Sequence, residues 1–425
     1  MNSKAKTIFY LDHIFVCFVL LIPFVPIFGV IDRTGPQFYY LSISQLCIYL
    51  YLFLFRVEKL HFDFIRKNKI VLSYTLFLIV SLFSFVFSIN INESIVEWNQ
   101  YFTLFNSLVV LVLLLGVNRS LWSFIFKAII LLLSIEALNI LFVFIHNFDS
   151  GAAFSRLKEY QGLSSNQNIG AFALVIKIPF LLHFILKAHN KYFEILLFQL
   201  LVIVFFDVFI IASRGAILSM IIIVLLFSIF ILYHINKINK SHKIKFFATI
   251  FLFIGTAIFQ NVLYQGQTTS LTNRMSNYVD DSTNYRLDRY KDALSYIIEN
   301  PIIGTGIGTW KIKATDLGSD TMKEYQVAYH AHNDFLQLAA ETGLIGLLSY
   351  LLIFVITFVI LYKSFMEELD FNSRVFWFSI FLSLIVFFLD SMINFPRIRP
   401  YSQVVILYVL AFVSLQPKNF KRIFK

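Results

Sequence analysis

Twelve stretches of this chain stay apolar for about as long as a helix needs to cross a bilayer, and no other feature constrains its fold as much. They lie near residues 8–30, 37–55, 70–89, 100–117, 121–146, 169–187, 193–212, 215–234, 246–264, 335–362, 374–395 and 400–416. A transmembrane helix takes about 20 apolar residues. In lipid, only helices and closed barrels satisfy their own backbone polar groups. Long apolar blocks without alternation choose the helix. The expected fold is an all-α polytopic membrane protein: about 12 transmembrane helices and one large extracytoplasmic loop containing an amphipathic helix.

The composition excludes a soluble domain. Of the residues, 58% are hydrophobic and only 14% charged, where soluble domains carry about a quarter charged residues. The net charge of +10 does not imply a nucleic-acid partner, because the basic residues collect in loops on one side. Those loops are RVEKLHFDFIRKNK (56–69), KINKSHK (237–243) and KNFKRIFK (418–425), joined by Lys4, Lys6, Arg119, Lys187, Lys191, Lys363 and Arg374. The positive-inside rule places that side, and both termini, in the cytoplasm. Cys17 and Cys47 fall inside apolar spans, as small buried hydrophobes rather than a disulfide or metal pair.

The opposite side receives NINESIVEWNQ (90–100), the loop 147–168 and a hydrophilic segment from about 265 to 334. The chain then divides into helices one to five (1–160), helices six to nine with Arg214 (161–264), the extracytoplasmic loop with Arg286 and His332 (265–334), and the last three helices (335–425). Within the loop, Leu287, Tyr290, Leu294 and Ile297 recur at helical spacing. Ser282 or Thr283 is placed to cap that helix, and Pro301 lies just past its end. Asp280 and Asp281 are adjacent acids that read as solvated, not as a metal site.

Candidate chemistry lies where a residue type is expensive. Arg214 interrupts two spans with almost no loop between them. It is either an interfacial anchor whose side chain snorkels or a functional group at membrane depth. Arg286 and Arg289 are either a solvated face or binding groups. GTGIGTW (304–310) is either a turn or a backbone nest for an anion. His332 precedes a helix that Asn333 or Asp334 can cap, and an imidazole there is either a hydrogen-bonded interfacial group or a proton acceptor. His330 has the same two readings. Gly343 and Gly346, one turn apart, suggest a small face for close helix packing. Glu136, Lys177, Asp207 and Asp390 lie inside spans, where Lys177 could pair with Asp207. Such pairs keep a transporter or lipid-oligosaccharide flippase open as a function.

These residues also carry a resemblance. His332-Asn333, nine residues, then Gly343-x-x-Gly346 resembles the H-[NSQ]-x9-G-x-x-G pattern of the bacterial O-antigen ligase family, which overlaps the O-antigen and exopolysaccharide polymerases. Ser213-Arg214-Gly215 is similar to that family's S-R-[GSA]. Arg286-Leu287-Asp288-Arg289-Tyr290 with Ala293-Leu294 and PIIGTGIG (301–308) resembles its R-x-x-x-W-x-x-A-L…P-[IL]-x-G-x-G block. Asn168 stands where such proteins tend to have N-P-N, with Gln167 in place of the proline and Tyr290 in place of the tryptophan.

The resemblance implies a glycosyltransferase in a bacterial inner membrane, working on its extracytoplasmic (periplasmic) face. The donor would be an undecaprenyl-diphosphate-linked glycan. The acceptor would be lipid A–core for a ligase in lipopolysaccharide biosynthesis, or another glycan repeat for a polymerase. Arg214 and Arg286 would meet the diphosphate, His332 would take the acceptor proton, and Arg289, Asn333, His330 and Asn168 would bind substrate. No cofactor and no metal are implied.

Overall fold

A computed structural model describes residues 3–30, 32–60, 62–118, 120–149, 153, 159–265, 273, 281–318 and 329–415. Arg119, Asp280 and the basic tail 418–425 lie outside them, as does the side chain of Asp281. The described chain is helical throughout: α1 (Ser3–Leu20), α2 (Thr34–Phe55), α3 (Phe62–Lys67), α4 (Lys69–Phe83), α5 (Ile91–Val117), α6 (Leu121–Asp149), α7 (Gln167–Val175), α8 (Ile178–Lys187), α9 (Lys191–Ile211) and α10 (Arg214–Tyr233) come first. There follow α11 (Lys240–Leu263), α12 (Asp281–Glu299), α13 (Trp310–Gly318), α14 (Asp334–Glu367), α15 (Phe371–Ile393) and α16 (Pro400–Leu415). Among the described residues, ten helical spans are long and apolar enough to cross a membrane, and Pro400–Leu415 is a shorter apolar helix. The protein is an all-α, multi-pass membrane protein.

The helices begin where the sequence supplies a side-chain acceptor. Asn68, Asn90, Asn166, Asn190, Asn239, Asn333 and Asp370 each accept backbone N–H bonds at the start of α4, α5, α7, α9, α11, α14 and α15. A cap of this kind is worth about 0.5–2 kcal/mol. α16 is buried along nearly its whole length and packs on α5, while α14 packs on α4 and α8 on α15. Apolar side chains such as Leu131, Phe142, Leu225 and Phe251 remain exposed on the outside, as they do where the solvent is lipid.

Several expectations are corrected. NINESIVEWNQ is the first turns of α5 rather than a loop, because Asn90 caps a helix that starts at Ile91. The sixth span is two helices, broken at Ile176 and Lys177, with Pro179 in the first turn of α8, where its missing N–H is tolerated. Lys177 does not pair with Asp207. Its Nζ lies 2.6 Å from Glu136 Oε2, and the Tyr401 hydroxyl donates to Glu136 Oε1 at 2.9 Å. Both carboxylate oxygens of Asp207 are buried without a hydrogen-bond partner among the described residues.

On α12 the buried face is Ala293, Tyr296 and Ile297, packed with Trp310, Ala331 and Ala340. Leu287 and Leu294, expected on that face, are about half exposed. Ser282 and Thr283 lie inside α12 rather than capping it.

Candidate active site

The glycines of the two motif blocks form one device. α14 is broken at Gly343, whose φ is +67° and ψ −177°. The break frees backbone groups that a continuous helix would pair, and the segment after α12 supplies their partners. Thr305 N–H donates to Ala340 O at 3.2 Å, Gly306 N–H to Glu341 O at 2.8 Å, and Leu344 N–H to Pro301 O at 2.8 Å. A Cβ on Gly343 would sit 2.1 Å from Ile302 O, and one on Gly304 would sit 2.5 Å from the Glu341 carbonyl.

Residues 301–309 also lock onto the bundle. Ile307 N–H donates to Ser84 Oγ at 3.1 Å, and Ser94 Oγ donates to Ile307 O at 2.6 Å. GTGIGTW is therefore a buried wedge rather than a surface turn or an anion nest, and Gly343 is a backbone break rather than part of a helix-packing face. Gly343→Ala is expected to destabilise the protein by about 3 kcal/mol or more. Gly255→Ala, whose Cβ would meet nothing within 4 Å, serves as the control. Thermal unfolding of the detergent-solubilised proteins checks this, and equal midpoints would remove the wedge argument.

The wedge fixes the start of α14, and with it His332. Asn333 caps the helix, accepting from Phe335 N–H and Leu336 N–H at 3.1 Å each. Its side-chain oxygen is therefore engaged by its own helix. His332 has a left-handed backbone, φ +56°, which costs a residue with a Cβ about 1–2 kcal/mol. Contacts from outside the loop hold it there. The Tyr290 hydroxyl lies 3.0 Å from His332 O and 3.1 Å from Met392 O, bridging α12, α14 and the end of α15. Phe395 stacks on the His330 ring at 3.9 Å and meets the His332 ring edge-on at 5.2 Å. The Arg399 guanidinium lies 4.4 Å from the Phe395 ring centre.

Electrostatics sets the protonation of these rings. Burial first, then the charges of Arg286 and Arg399, pull the His332 pKa down to about 4. Burial and Arg399 push His330 well below the ordinary histidine range. Both imidazoles are neutral at neutral pH, and Nδ1 of each is buried without a hydrogen-bond partner among the described residues. A neutral ring with an unbonded nitrogen can accept a proton.

The helices that carry the other expected residues meet the same junction, residues 392–395. Arg286 lies on α12 one turn before Tyr290 and is half-buried. Arg214 is the first residue of α10, separated from the end of α9 by two residues. Its neighbour Gly215 is pressed against Phe172 of α7 and Ile393 of α15, where a Cβ would come within 3.0–3.1 Å. Asn168 is half-buried in the first turn of α7, and its N–H donates to Asn166 Oδ1 at 2.9 Å. The next residues of α7, Ile169 and Ala173, pack on Phe395 and Tyr401. Arg289 is occupied locally, 3.2 Å from Asp292 and 5.4 Å from the Tyr285 ring centre.

Residues 199–351 match the O-antigen ligase family. That segment, less than half of the chain, is similar to the O-antigen ligase family. It contains Arg214, Arg286, His332 and the Gly343 break. No curated protein matches the chain.

A charged cluster beside His332, centred on Arg397 beyond the matched segment, escaped sequence reasoning. Arg397, completely buried, places its guanidinium 3.2 Å from Asp334, 3.1 Å from Glu341 and 3.3 Å from Glu97. It also bonds the Tyr101 hydroxyl, and its backbone N–H donates to Asp334 Oδ2 at 2.9 Å. Gln337 Nε2 donates to Glu341 Oε1 at 3.1 Å, and its own Oε1 accepts from Ala331 N–H at 3.0 Å. The cluster thus ties both neighbours of the His332–Asn333 pair to α5 and to the turn before α16. The signal was present: FPRIRPYS (395–402) puts two arginines between two spans with no room for a loop, the pattern that drew attention to Arg214.

Proposed function

We propose that the protein is a membrane glycosyltransferase that moves a glycan from an undecaprenyl diphosphate carrier to a sugar hydroxyl, as an O-antigen ligase acting on lipid A–core. In this reading the end of the bundle that holds His332 faces the extracytoplasmic side of a bacterial inner membrane. The single observation that carries it is that the helices bearing Arg214 and Arg286 meet, at the junction 392–395, the half-buried His332 whose ring meets Phe395.

The chemistry follows from the charges. The acceptor O–H gives its proton to His332 as its oxygen attacks the anomeric carbon. The new C–O bond forms opposite the breaking C–O bond, so the configuration inverts, and the diphosphate leaves with the bonding electrons. Arg214 and Arg286 offer permanently charged, forked donors to that growing negative charge, which is where electrostatic stabilisation is most effective. This assignment requires no divalent cation.

The test is a transfer assay with purified protein, a lipid-linked glycan donor, and either lipid A–core or a second lipid-linked repeat as acceptor. Transfer to lipid A–core, abolished in Arg214→Ala and Arg286→Ala, is the expected result. Transfer to the repeat alone makes the protein a polymerase. Undiminished transfer in both arginine variants removes the mechanism.

A further inference from the structure

A cavity of about 210 Å³ opens beside the Arg397 cluster, between the start of α2, the first turns of α5 and the loop before α14. Residues of five segments wall it: Asp32, Gly35, Gln100, Lys311, His330 and Arg399. None of these except His330 belongs to the machinery assigned above. We propose that this cavity is the acceptor pocket, holding the sugar ring whose hydroxyl is glycosylated; the inference rests on the glycosyltransferase reading.

The wall chemistry separates this cavity from the donor side. Three carboxylates, Asp32, Glu97 and Glu341, line it. Of its two long cations, Lys311 is already paired with Glu93. Glu97 and Glu341 already meet Arg397, and Asp32 lies 3.9 Å from Arg399, so the wall is mixed in charge rather than a cationic clamp for a diphosphate, and it can exchange hydrogen bonds with neutral hydroxyls. Arg399 Nε and His330 Nδ1 are buried with no hydrogen-bond partner among the described residues, and buried groups of this kind ordinarily find one. Tyr329, 60% exposed at the cavity's edge, offers a ring face for the C–H face of a sugar. The volume suits a single pyranose rather than an extended glycan.

Position gives the role. The two arginines whose charges bear on His332 are Arg286 and Arg399. Arg286 belongs to the diphosphate side, and Arg399 lines the cavity. His330 lines the cavity and stacks on Phe395, whose ring meets His332 edge-on, so the reacting hydroxyl has to extend from the cavity past the Phe395 edge to give its proton to His332. An inverting displacement needs nucleophile and leaving group on opposite sides of the carbon, and this arrangement supplies two sides.

Two variants test the pocket. Gly35→Phe fills it, since a Cβ at Gly35 meets nothing within 4 Å and its φ is unstrained. Gln100→Ala removes a half-buried amide from the wall without filling the space. With the acceptor that supports wild-type transfer, each variant is expected to raise the acceptor KM about tenfold and leave the donor KM within about twofold. Wild-type acceptor KM in Gln100→Ala together with either folded Gly35→Phe of wild-type KM or a rise in donor KM overturns the pocket. Arg214→Ala, run in parallel, separates the two claims: if it abolishes transfer while the pocket variants behave as wild type, only the pocket is wrong. If Arg214→Ala transfers normally, the glycosyltransferase mechanism itself is wrong.

Discussion

His332→Asn is expected to slow transfer by about 10²–10⁴-fold, the usual worth of a general base, while the protein inserts and unfolds like the wild type. Asparagine is the informative replacement because it tolerates the left-handed backbone that His332 adopts. The side chain of His332 makes ring contacts only with Phe395 and Tyr285 among the described residues, and the helix cap is carried by Asn333. Removing the imidazole therefore takes away chemistry more than structure.

The same residue predicts a pH profile. Its pKa is lowered to about 4, so in the free protein the ring is neutral at every pH well above that. The kcat/KM of the wild type should stay level as pH falls through 6.5, where an ordinary histidine protonates. It should decline only as pH approaches 4, when the base becomes charged. An acid limb near 6.5 in kcat/KM, or a His332→Asn variant that transfers at the wild-type rate, would count against the assignment.

Arg397→Met is expected to destabilise the protein by about 3–5 kcal/mol, because removing one partner of a buried ionic group leaves uncompensated charge. Here a single guanidinium stands among three carboxylates, and its side chain is 0% exposed. The loss also reaches the reaction: Asp334 follows the His332–Asn333 pair directly, and Arg397 holds it by both backbone and side chain. Arg397→Lys keeps the charge but not the fork that spans Asp334 and Glu341, so it should fall between the two. Combining Arg397→Met with Asp334→Asn and Glu341→Gln should recover part of the lost stability, since the unpaired charges go with the arginine. Thermal unfolding in detergent by size-exclusion recovery reads all of these. A single variant that melts at the wild-type temperature would show that the cluster contributes little.

Much of the architecture was legible because lipid leaves so few choices. A run of about 20 apolar residues in a bilayer can only be a helix, and the expected spans recur as helices with shifted ends. The ends moved for local reasons: Asn90 starts α5 about nine residues earlier than hydropathy suggested, because capping chemistry and not apolarity sets a helix start. The site was legible to the extent that its residues are out of place. Arg214 between two spans, and His332 at a helix mouth with its Asn333 cap, could be picked out from their neighbours in sequence alone.

What the sequence by itself determined is therefore the material of the membrane part and the identity of the chemically unusual residues. Hydropathy and capping are properties of contiguous residues. Only the tertiary structure decided which of those residues meet: Lys177 with Glu136 rather than Asp207, Tyr290 with the carbonyls of His332 and Met392, and Arg397 with acids from α5 and α14. It also decided that the glycines of PIIGTGIG and Gly343 form one interlocked joint. The reason is physical. A buried charge or a broken helix must be satisfied by whatever group the packing brings within about 3 Å, and for Arg397 and Tyr101 that partner lies 296 positions away along the chain.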